Sequence, residues 1–306
     1  MQSESTHRSK VAQAPRLGAQ RDWIWRGWRM RYSFAKPSAS ADSTEQTPIL
    51  LLHGFGSALT QWHENILPLS QVHPVYALDL IGFGLSEKAS TTYNVKLWVE
   101  QVYEFWRMFI NRPIALVGHS LGALVALTAA ATHPDMVEKL VLLTLPASRQ
   151  EILPDWLQPV VVSIEGMFTT PLFVRPLFKL ICRPSVVRSV LRKVYIDQGR
   201  VTEALVENFV TPGYDQGAAR AFCRLAQART QTDFSRETKE LLQEIAQPLL
   251  VLWGDQDRVI PIAWGRQIAA ALGERLRLVE IPDAGHCPYD EAAEQVNQEI
   301  LSWLAV

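Results

Sequence analysis

Ile114-Ala115-Leu116-Val117-Gly118-His119-Ser120-Leu121-Gly122-Ala123-Leu124-Val125 is the stretch that decides the fold. An apolar run leads into Gly-x-Ser-x-Gly, and a small, apolar, helix-forming run follows. On its own, Gly-x-Ser-x-Gly is an ordinary turn more often than not. Between a strand and a helix it has a mechanical meaning. A serine flanked by glycines at such a turn can adopt strained backbone angles and raise its hydroxyl at the top of a sheet, while the first amides of the helix face any charge that develops there.

Working outward, short apolar runs bounded by turn residues recur at Pro48–Leu52, Val75–Asp79, Leu140–Leu143, Leu249–Trp253 and Leu276–Ile281. Such runs suit strands buried on both faces. Helical patterns separate them: Val95–Ile110, with Val95, Val99, Val102, Trp106 and Phe109 near one face, then Leu121–Thr132, Ala263–Leu272 and Ala292–Leu304. Alternating strand and helix predicts a mostly parallel sheet covered on both faces. Ahead of it, Trp23-Ile-Trp25, Arg26-Gly27 and Trp28-Arg-Met30-Arg-Tyr32 alternate large and polar residues around a glycine, the pattern of a hairpin with one buried face. The rhythm breaks from Ala147 to Gln247, where proline-interrupted helical patterns replace the strands. The expected organisation is a tail over 1–21, a core formed by 22–146 and 248–306, and a helical cap over 147–247.

A serine hydroxyl is a poor nucleophile at neutral pH. It needs a base within hydrogen-bond reach, and the base needs an orienting carboxylate. On this architecture the chain order is Ser, then Asp or Glu, then His. Of the seven histidines, only His286 follows the last candidate acids, in the loop Asp283-Ala-Gly-His286-Cys-Pro. The acid is expected after the strand ending at Trp253, in Gly254-Asp255-Gln256-Asp257-Arg258. Asp257 is the choice there, since Asp255 directly follows the glycine turn and suits a capping role. The alternative position one strand earlier is closed, because Thr144-Leu-Pro-Ala147 contains no carboxylate. Two amide donors are needed for the oxyanion. The N–H of Leu121 and the N–H of Phe55 in His53-Gly54-Phe55-Gly56 are the candidates. Activity is expected to fall on acidification as His286 takes up a proton.

His53-Gly-Phe-Gly56, Asp79-Leu-Ile-Gly-Phe-Gly-Leu-Ser86, Gly118-His-Ser-Leu-Gly122, Trp253-Gly-Asp-Gln-Asp257 and Gly285-His286 together resemble the α/β-hydrolase superfamily. The resemblance implies an α/β-hydrolase fold: an eight-stranded, mostly parallel sheet with its second strand antiparallel, helices on both faces, and a helical cap inserted after strand 6. A narrower resemblance is carried by Arg183-Pro-Ser-Val-Val-Arg188, Val194-Tyr195, Val201-Thr202, Leu205-Val206, Pro212-Gly-Tyr-Asp215-Gln-Gly-Ala218, Phe222 and Gly285-His-Cys-Pro-Tyr-Asp290-Glu291. These are similar to the chlorophyll dephytylase and pheophytinase group of oxygenic phototrophs, which implies cleavage of the phytyl ester of a chlorin pigment. That group often carries Asn before the nucleophile, where this chain has His119.

The chain has 306 residues, 48% hydrophobic and 20% charged, with a formal net charge of −1, which gives no argument for a nucleic-acid partner. Cys182, Cys223 and Cys287 are odd in number and lack metal-ligand spacing, so reduced thiols in a cytoplasmic setting are expected, with no metal and no cofactor. The polar N-terminus lacks the apolar core of a secretory signal, and reads as a flexible tail or a short transit peptide. Trp156 to Cys182 is rich in large apolar residues, with Trp156, Phe168 and Phe173, together with His119, as candidate substrate contacts. From Arg175 to Lys193 there are basic residues and no acidic one. Such a cap is suited either to peripheral contact with an anionic membrane surface, admitting a lipophilic ester, or to packing its apolar face on the core with the basic residues solvated. The function expected is a serine hydrolase acting on a hydrophobic carboxylic ester. A triad-bearing ligand receptor that signals through a protein partner, a general esterase or lipase, a carbon–carbon bond hydrolase and an acyltransferase are the competing readings.

Overall fold

The computed structural model describes residues 17–37, 46–148, 151, 171–229, 231 and 233–306, with the side chains of 171–175 left aside. Eight strands form one sheet: β1 (Ala19–Trp25), β2 (Trp28–Ala35), β3 (Ile49–Leu52), β4 (Val75–Leu78), β5 (Ile114–His119), β6 (Val137–Leu143), β7 (Leu249–Gly254) and β8 (Leu276–Ile281). Their spatial order is β1-β2-β4-β3-β5-β6-β7-β8. β2 runs antiparallel to both its neighbours and all the other pairings are parallel.

The four central strands show why their sequences are apolar without interruption. Ile49 to Leu52 are all fully buried, and their alternation divides them between two separate cores. Leu50 and Leu52 join one cluster, while Ile49 and Leu51 join the other. Ile114 and Leu116 alternate with Ala115 and Val117 in the same way, as do Leu140 and Leu142 with Val141 and Leu143, and Leu249 and Val251 with Leu250 and Leu252. Period-2 geometry sends successive side chains to opposite faces, and helices cover both. One face meets Val95–Phe109 and Leu121–Thr132; the other meets Ile66–Leu69 and Ala293–Leu304. Burying each such aliphatic side chain stabilises the fold by about 1.5–3 kcal/mol.

The helix Leu121–Thr132 is buried almost all round, which its Ala-rich composition permits. Val95–Phe109 starts at Asn94, whose side chain accepts from the Leu97 N–H at 2.9 Å. In the N-terminal hairpin Trp23 faces Met30 and Trp25 faces Trp28 across the turn, and Arg26 and Gly27 both have positive φ, the signature of a two-residue primed turn. β1 begins at Ala19, two residues before the expected end of the tail at residue 21, and Leu17 is already buried. The exposed run Ala19–Asp22 gives no hydrophobic signal because β1 is an edge strand. β6 likewise starts at Val137, ahead of the apolar run, since Glu138 and Lys139 lie at its exposed end.

Between β6 and β7 the described residues hold helices at Pro171–Ile181, Pro184–Val194, Glu203–Val210, Ala218–Ala228 and Thr238–Glu244. The last of these places Leu241 and Leu242 in the same core as the helix Leu121–Thr132. All three cysteines are buried, and none is joined in a disulfide. No helix among the described residues is long and apolar enough to cross a membrane.

Candidate active site

The register of the parallel strands gathers the predicted loops at one edge. Leu52 lies beside Gly118, His119 beside Leu143, and Gly254 beside Ile281. The loops leaving β3, β5, β7 and β8 therefore emerge together at the carboxyl end of the sheet, where ligands of such sheets bind.

Ser120 sits between β5 and the helix Leu121–Thr132 with φ 51° and ψ −115°. A non-glycine residue in that region carries strain of about 1–3 kcal/mol, held by its surroundings. Here the Ser120 N–H donates to the Leu143 carbonyl at 2.9 Å, and the Ser120 carbonyl accepts from Ala123 and Leu124. The flanking glycines are steric requirements. A Cβ on Gly118 would lie 2.2 Å from the Gly122 carbonyl oxygen, and one on Gly122 would lie 2.3 Å from that of Leu52. The first amides of the helix have no intrahelical acceptor, and Leu121 N–H is among them.

His286 Nδ1 lies 2.9 Å from Asp257 Oδ2. The Asp257 side chain is fully buried, while His286 keeps a small exposed edge. The other Asp257 oxygen accepts from the N–H groups of Val259 (2.7 Å) and Ile260 (2.9 Å). The turn-capping role expected of Asp255 thus falls to Asp257, which fills both roles with its two oxygens. Asp255 is exposed, and its N–H donates to the Ile281 carbonyl.

The loop His53–Gly56 lies directly over the Ser120 turn. A Cβ on Gly54 would come within 2.8 Å of His119 Nδ1 and 3.5 Å of Ser120 Cβ. His53 braces this loop from beneath. Its Nε2 accepts from Leu80 N–H at 3.0 Å, so Nδ1 carries the proton and donates to the Gly54 carbonyl at 2.8 Å. Burial pushes its pKa down to about 4, leaving a neutral ring. Asp79 is a second brace, accepting from Leu59 N–H (2.6 Å) and Leu85 N–H (2.7 Å). Burial raises its pKa to about 6, opposed by those two donors and by Lys88. The adjoining glycine is needed because a Cβ on Gly84 would overlap the Asp79 carboxylate.

His119 is buried, and its Nε2–H donates to the His286 carbonyl at 2.8 Å. Its ring lies 4.9 Å from that of His286 and 4.8 Å from that of Tyr289. Burial, with His286 next in effect, lowers its pKa well below the ordinary value. His119, expected among the substrate contacts, thus spends this N–H on the loop that carries His286, a consequence of β5 ending directly beneath that loop. Trp156 and Phe168 lie outside the described residues, as does the side chain of Phe173.

The sequence reading assigned no role to Tyr195, Asp290, Glu291 or Lys88. Lys88 is nearly fully buried and donates to the carbonyls of Gly84 and Ser86 and to Asp215 Oδ2 at 3.1 Å. Tyr195 O–H donates to Asp290 Oδ2 at 2.9 Å. Each pair joins the core to the helical insertion over a long sequence separation. A single sequence signals them only as polar residues beside the glycine motifs.

The sequence profile of the alpha/beta hydrolase fold family matches residues 47–293, and the chain belongs to this family. It is 30% identical over 84% of its length to the dihydrolipoyllysine-residue acetyltransferase component of the acetoin cleaving system of Pseudomonas putida, and spans 63% of that protein. It is 24% identical over 90% of its length to the chloroplastic pheophytinase of Arabidopsis thaliana, spanning 65% of it. Among solved structures, a serine hydrolase involved in carbazole degradation (the CarC enzyme) superposes with a TM-score of 0.74 at 20% identity, covering 94% of this chain and 98% of that one, a likeness of fold.

Proposed function

We propose that this protein is a serine hydrolase that cleaves a carboxylic ester of a hydrophobic substrate, with the phytyl ester of chlorophyll or a related chlorin as the specific candidate. The observation that carries this reading is the strained Ser120 elbow beside a His286–Asp257 hydrogen bond of 2.9 Å. The similarity to the pheophytinase of Arabidopsis thaliana supports the pigment ester.

In this mechanism Ser120 Oγ attacks the ester carbonyl and His286 Nε2 accepts its proton. Asp257 holds Nδ1–H toward itself and stabilises the imidazolium. The N–H groups of Leu121 and Phe55 receive the oxyanion. The tetrahedral adduct collapses, the C–O bond to the alcohol breaks, and His286 returns the proton to the departing alkoxide. Water, deprotonated by His286, then hydrolyses the acyl-enzyme and regenerates Ser120.

The test is an ester panel running from acetates to long-chain esters and including chlorophyll and pheophytin, with Ser120→Ala as control. Ser120→Ala should lose fluorophosphonate labelling and about four or more orders of magnitude in turnover. Each additional buried methylene can add up to about 0.8 kcal/mol of binding, so long prenyl esters should exceed acetates. A wild type that prefers acetates and leaves both pigments intact would sink the pigment assignment. A second reading, acyl transfer, is favoured by the likeness to an acetyltransferase component. It predicts that an added alcohol or thiol captures the acyl group in competition with water.

Peripheral membrane contact through the insertion belongs to the same proposal. Arg183 at the N-cap of Pro184–Val194 and Val190 and Lys193 within it are exposed at helical spacing, and Leu177 and Leu180 are exposed on the preceding helix. Arg188 is paired with Glu203, so Arg192 and Lys193 are the residues to reverse. Binding to phosphatidylserine vesicles should weaken in that variant and with added salt.

A further inference from the structure

His286 is held from three directions. Its ring faces Asp257, its carbonyl accepts from His119, and its N–H points at the Val194 carbonyl at 3.4 Å. The third support comes from the helical insertion, at the end of the helix Pro184–Val194. The chain there, Val194 to Asp197, lies flat on the loop that carries His286. A Cβ on Gly285 would be 2.6 Å from the Val194 carbonyl oxygen and 3.2 Å from Ile196 Cγ1.

One carboxylate joins the two segments. Glu291 Oε1 accepts from Gly285 N–H, the residue preceding His286, at 2.8 Å. Glu291 Oε2 accepts from Ile196 N–H at 2.6 Å and from Asp197 N–H at 3.0 Å. Every one of these donors is a backbone amide, so the contact does not depend on the side chains at 196 or 197. The neighbouring Asp290 reinforces the arrangement through Tyr195 O–H, with Arg200 3.7 Å from its other oxygen. The insertion side and the His286 side of this clasp are far apart in sequence, Ile196 and Glu291 being separated by 95 residues.

We infer that Glu291 is a positioning residue: its carboxylate clasps the Val194–Asp197 segment of the insertion to the loop of His286 and so sets where the imidazole stands over Ser120. The inference rests on the Ser120–His286–Asp257 reading proposed above. An acceptor with two free oxygens is required. The isosteric amide of Gln would present N–H to N–H on one side of the clasp, leaving either Gly285 or the Ile196–Asp197 pair without an acceptor. A small displacement of a general base is costly to rate, while ground-state binding of a small ester is little affected.

The experiment measures kcat and KM of Glu291→Gln with p-nitrophenyl acetate, the active fraction being counted by end-point fluorophosphonate labelling. kcat per labelled site should fall about 10- to 100-fold with KM changed by less than about threefold. The same substitution in a His286→Ala background should alter the residual rate by less than about twofold, because Glu291 acts through His286. An equal loss in both backgrounds, or a kcat of Glu291→Gln within about twofold of wild type, overturns the inference. Asp197→Pro provides a second route should Glu291→Gln not fold. Asp197 has φ −76°, which suits proline, and the change deletes one amide of the clasp while leaving the carboxylate. Its kcat should fall at least about threefold below that of Asp197→Ala, which keeps the amide, and equality of the two overturns the inference. If His286→Ala itself retains wild-type turnover, the underlying site reading fails. If His286→Ala is inactive and Glu291→Gln is not impaired, only the clasp fails.

Discussion

Gly122 in the sheet layer and Gly213 in the helical insertion show two different ways of building. At Gly122 an added Cβ would meet the backbone carbonyls of Leu52 and His53 at 2.3 and 2.6 Å. At Gly213 it would meet the sulfur of Cys182 at 2.6 Å, the end of a side chain that can turn aside. The central strands are almost wholly buried, and at Gly118 and Gly122 strand and helix meet backbone to backbone. The insertion exposes Leu177, Leu180 and Val190, and its polar ties to the rest include Lys88–Asp215, Tyr195–Asp290 and the amides on Glu291. The candidate site residues stand on the first region, and the insertion reaches them at the Val194–Asp197 segment clasped by Glu291. The second can vary its surface without disturbing the elbow, which suits a region that selects substrate.

The largest expected effect tests whether the chemistry is confined to the sheet edge. Asp257→Asn should lower kcat by about four orders of magnitude, since the amide favours the wrong tautomer of His286. Asp255→Asn, on an exposed side chain two residues away, should stay within about threefold of wild type. A more damaging Asp255→Asn in a folded protein would reverse the assignment.

Next in size is the contrast between the glycines. Gly122→Ala should reduce kcat by at least about 100-fold and lower the melting temperature, because two backbones must separate around the elbow. Gly213→Ala should leave acetate hydrolysis within about threefold. Similar losses from both substitutions would show that the insertion is as tightly determined as the sheet.

Buried titratable groups beneath the strand ends give a third test. His53 titrates at about 4 in the fold, below its unfolded value, so stability is lost as pH falls from about 6.5 toward 4. Asp79 works in the opposite sense. Its folded pKa of about 6 exceeds its unfolded value, so acidification through that range favours the folded state. Urea titrations between neutral pH and about pH 4.5 should show a steeper acid loss in Asp79→Asn than in wild type. An unchanged slope would mean that Asp79 is not titrating in that window.

The smallest effect concerns one tie. Asp215→Asn removes the charge that Lys88 Nζ meets in the insertion. It should raise KM for long-chain esters by about two- to fivefold while leaving p-nitrophenyl acetate kinetics unchanged. Equal effects on both substrates would place that tie in the catalytic machinery.

Much of this architecture was legible in the chain. Buried parallel strands need uninterrupted apolar runs, so β3, β4, β5 and β7 stood out within a residue or two, and β8, an edge strand, was legible from the apolar residues that alternate with Arg277 and precede and follow Glu280. The starts of β1 and β6 did not stand out, because an edge strand admits Gln20 and Arg21 and the solvent-facing end of β6 admits Glu138 and Lys139. Ser120, Asp257 and His286 were legible because glycines and chain order confine them to strand ends. The capping role was given to the wrong aspartate, since only the folded turn shows that Asp257 has one oxygen for Val259 and Ile260 and another for His286.

By itself the sequence determined the alternation of strand and helix, the strained serine and the order of its partners. These depend on local periodicity and on steric freedom at glycine, which neighbours in the chain are enough to specify. Only the tertiary structure decided that His119 turns to the His286 carbonyl, that Lys88 reaches Asp215, and that Glu291 binds amides of two segments at once. Those contacts join residues far apart in the chain through single hydrogen bonds, and a hydrogen bond to a backbone amide leaves no trace in the identity of the residue that donates it.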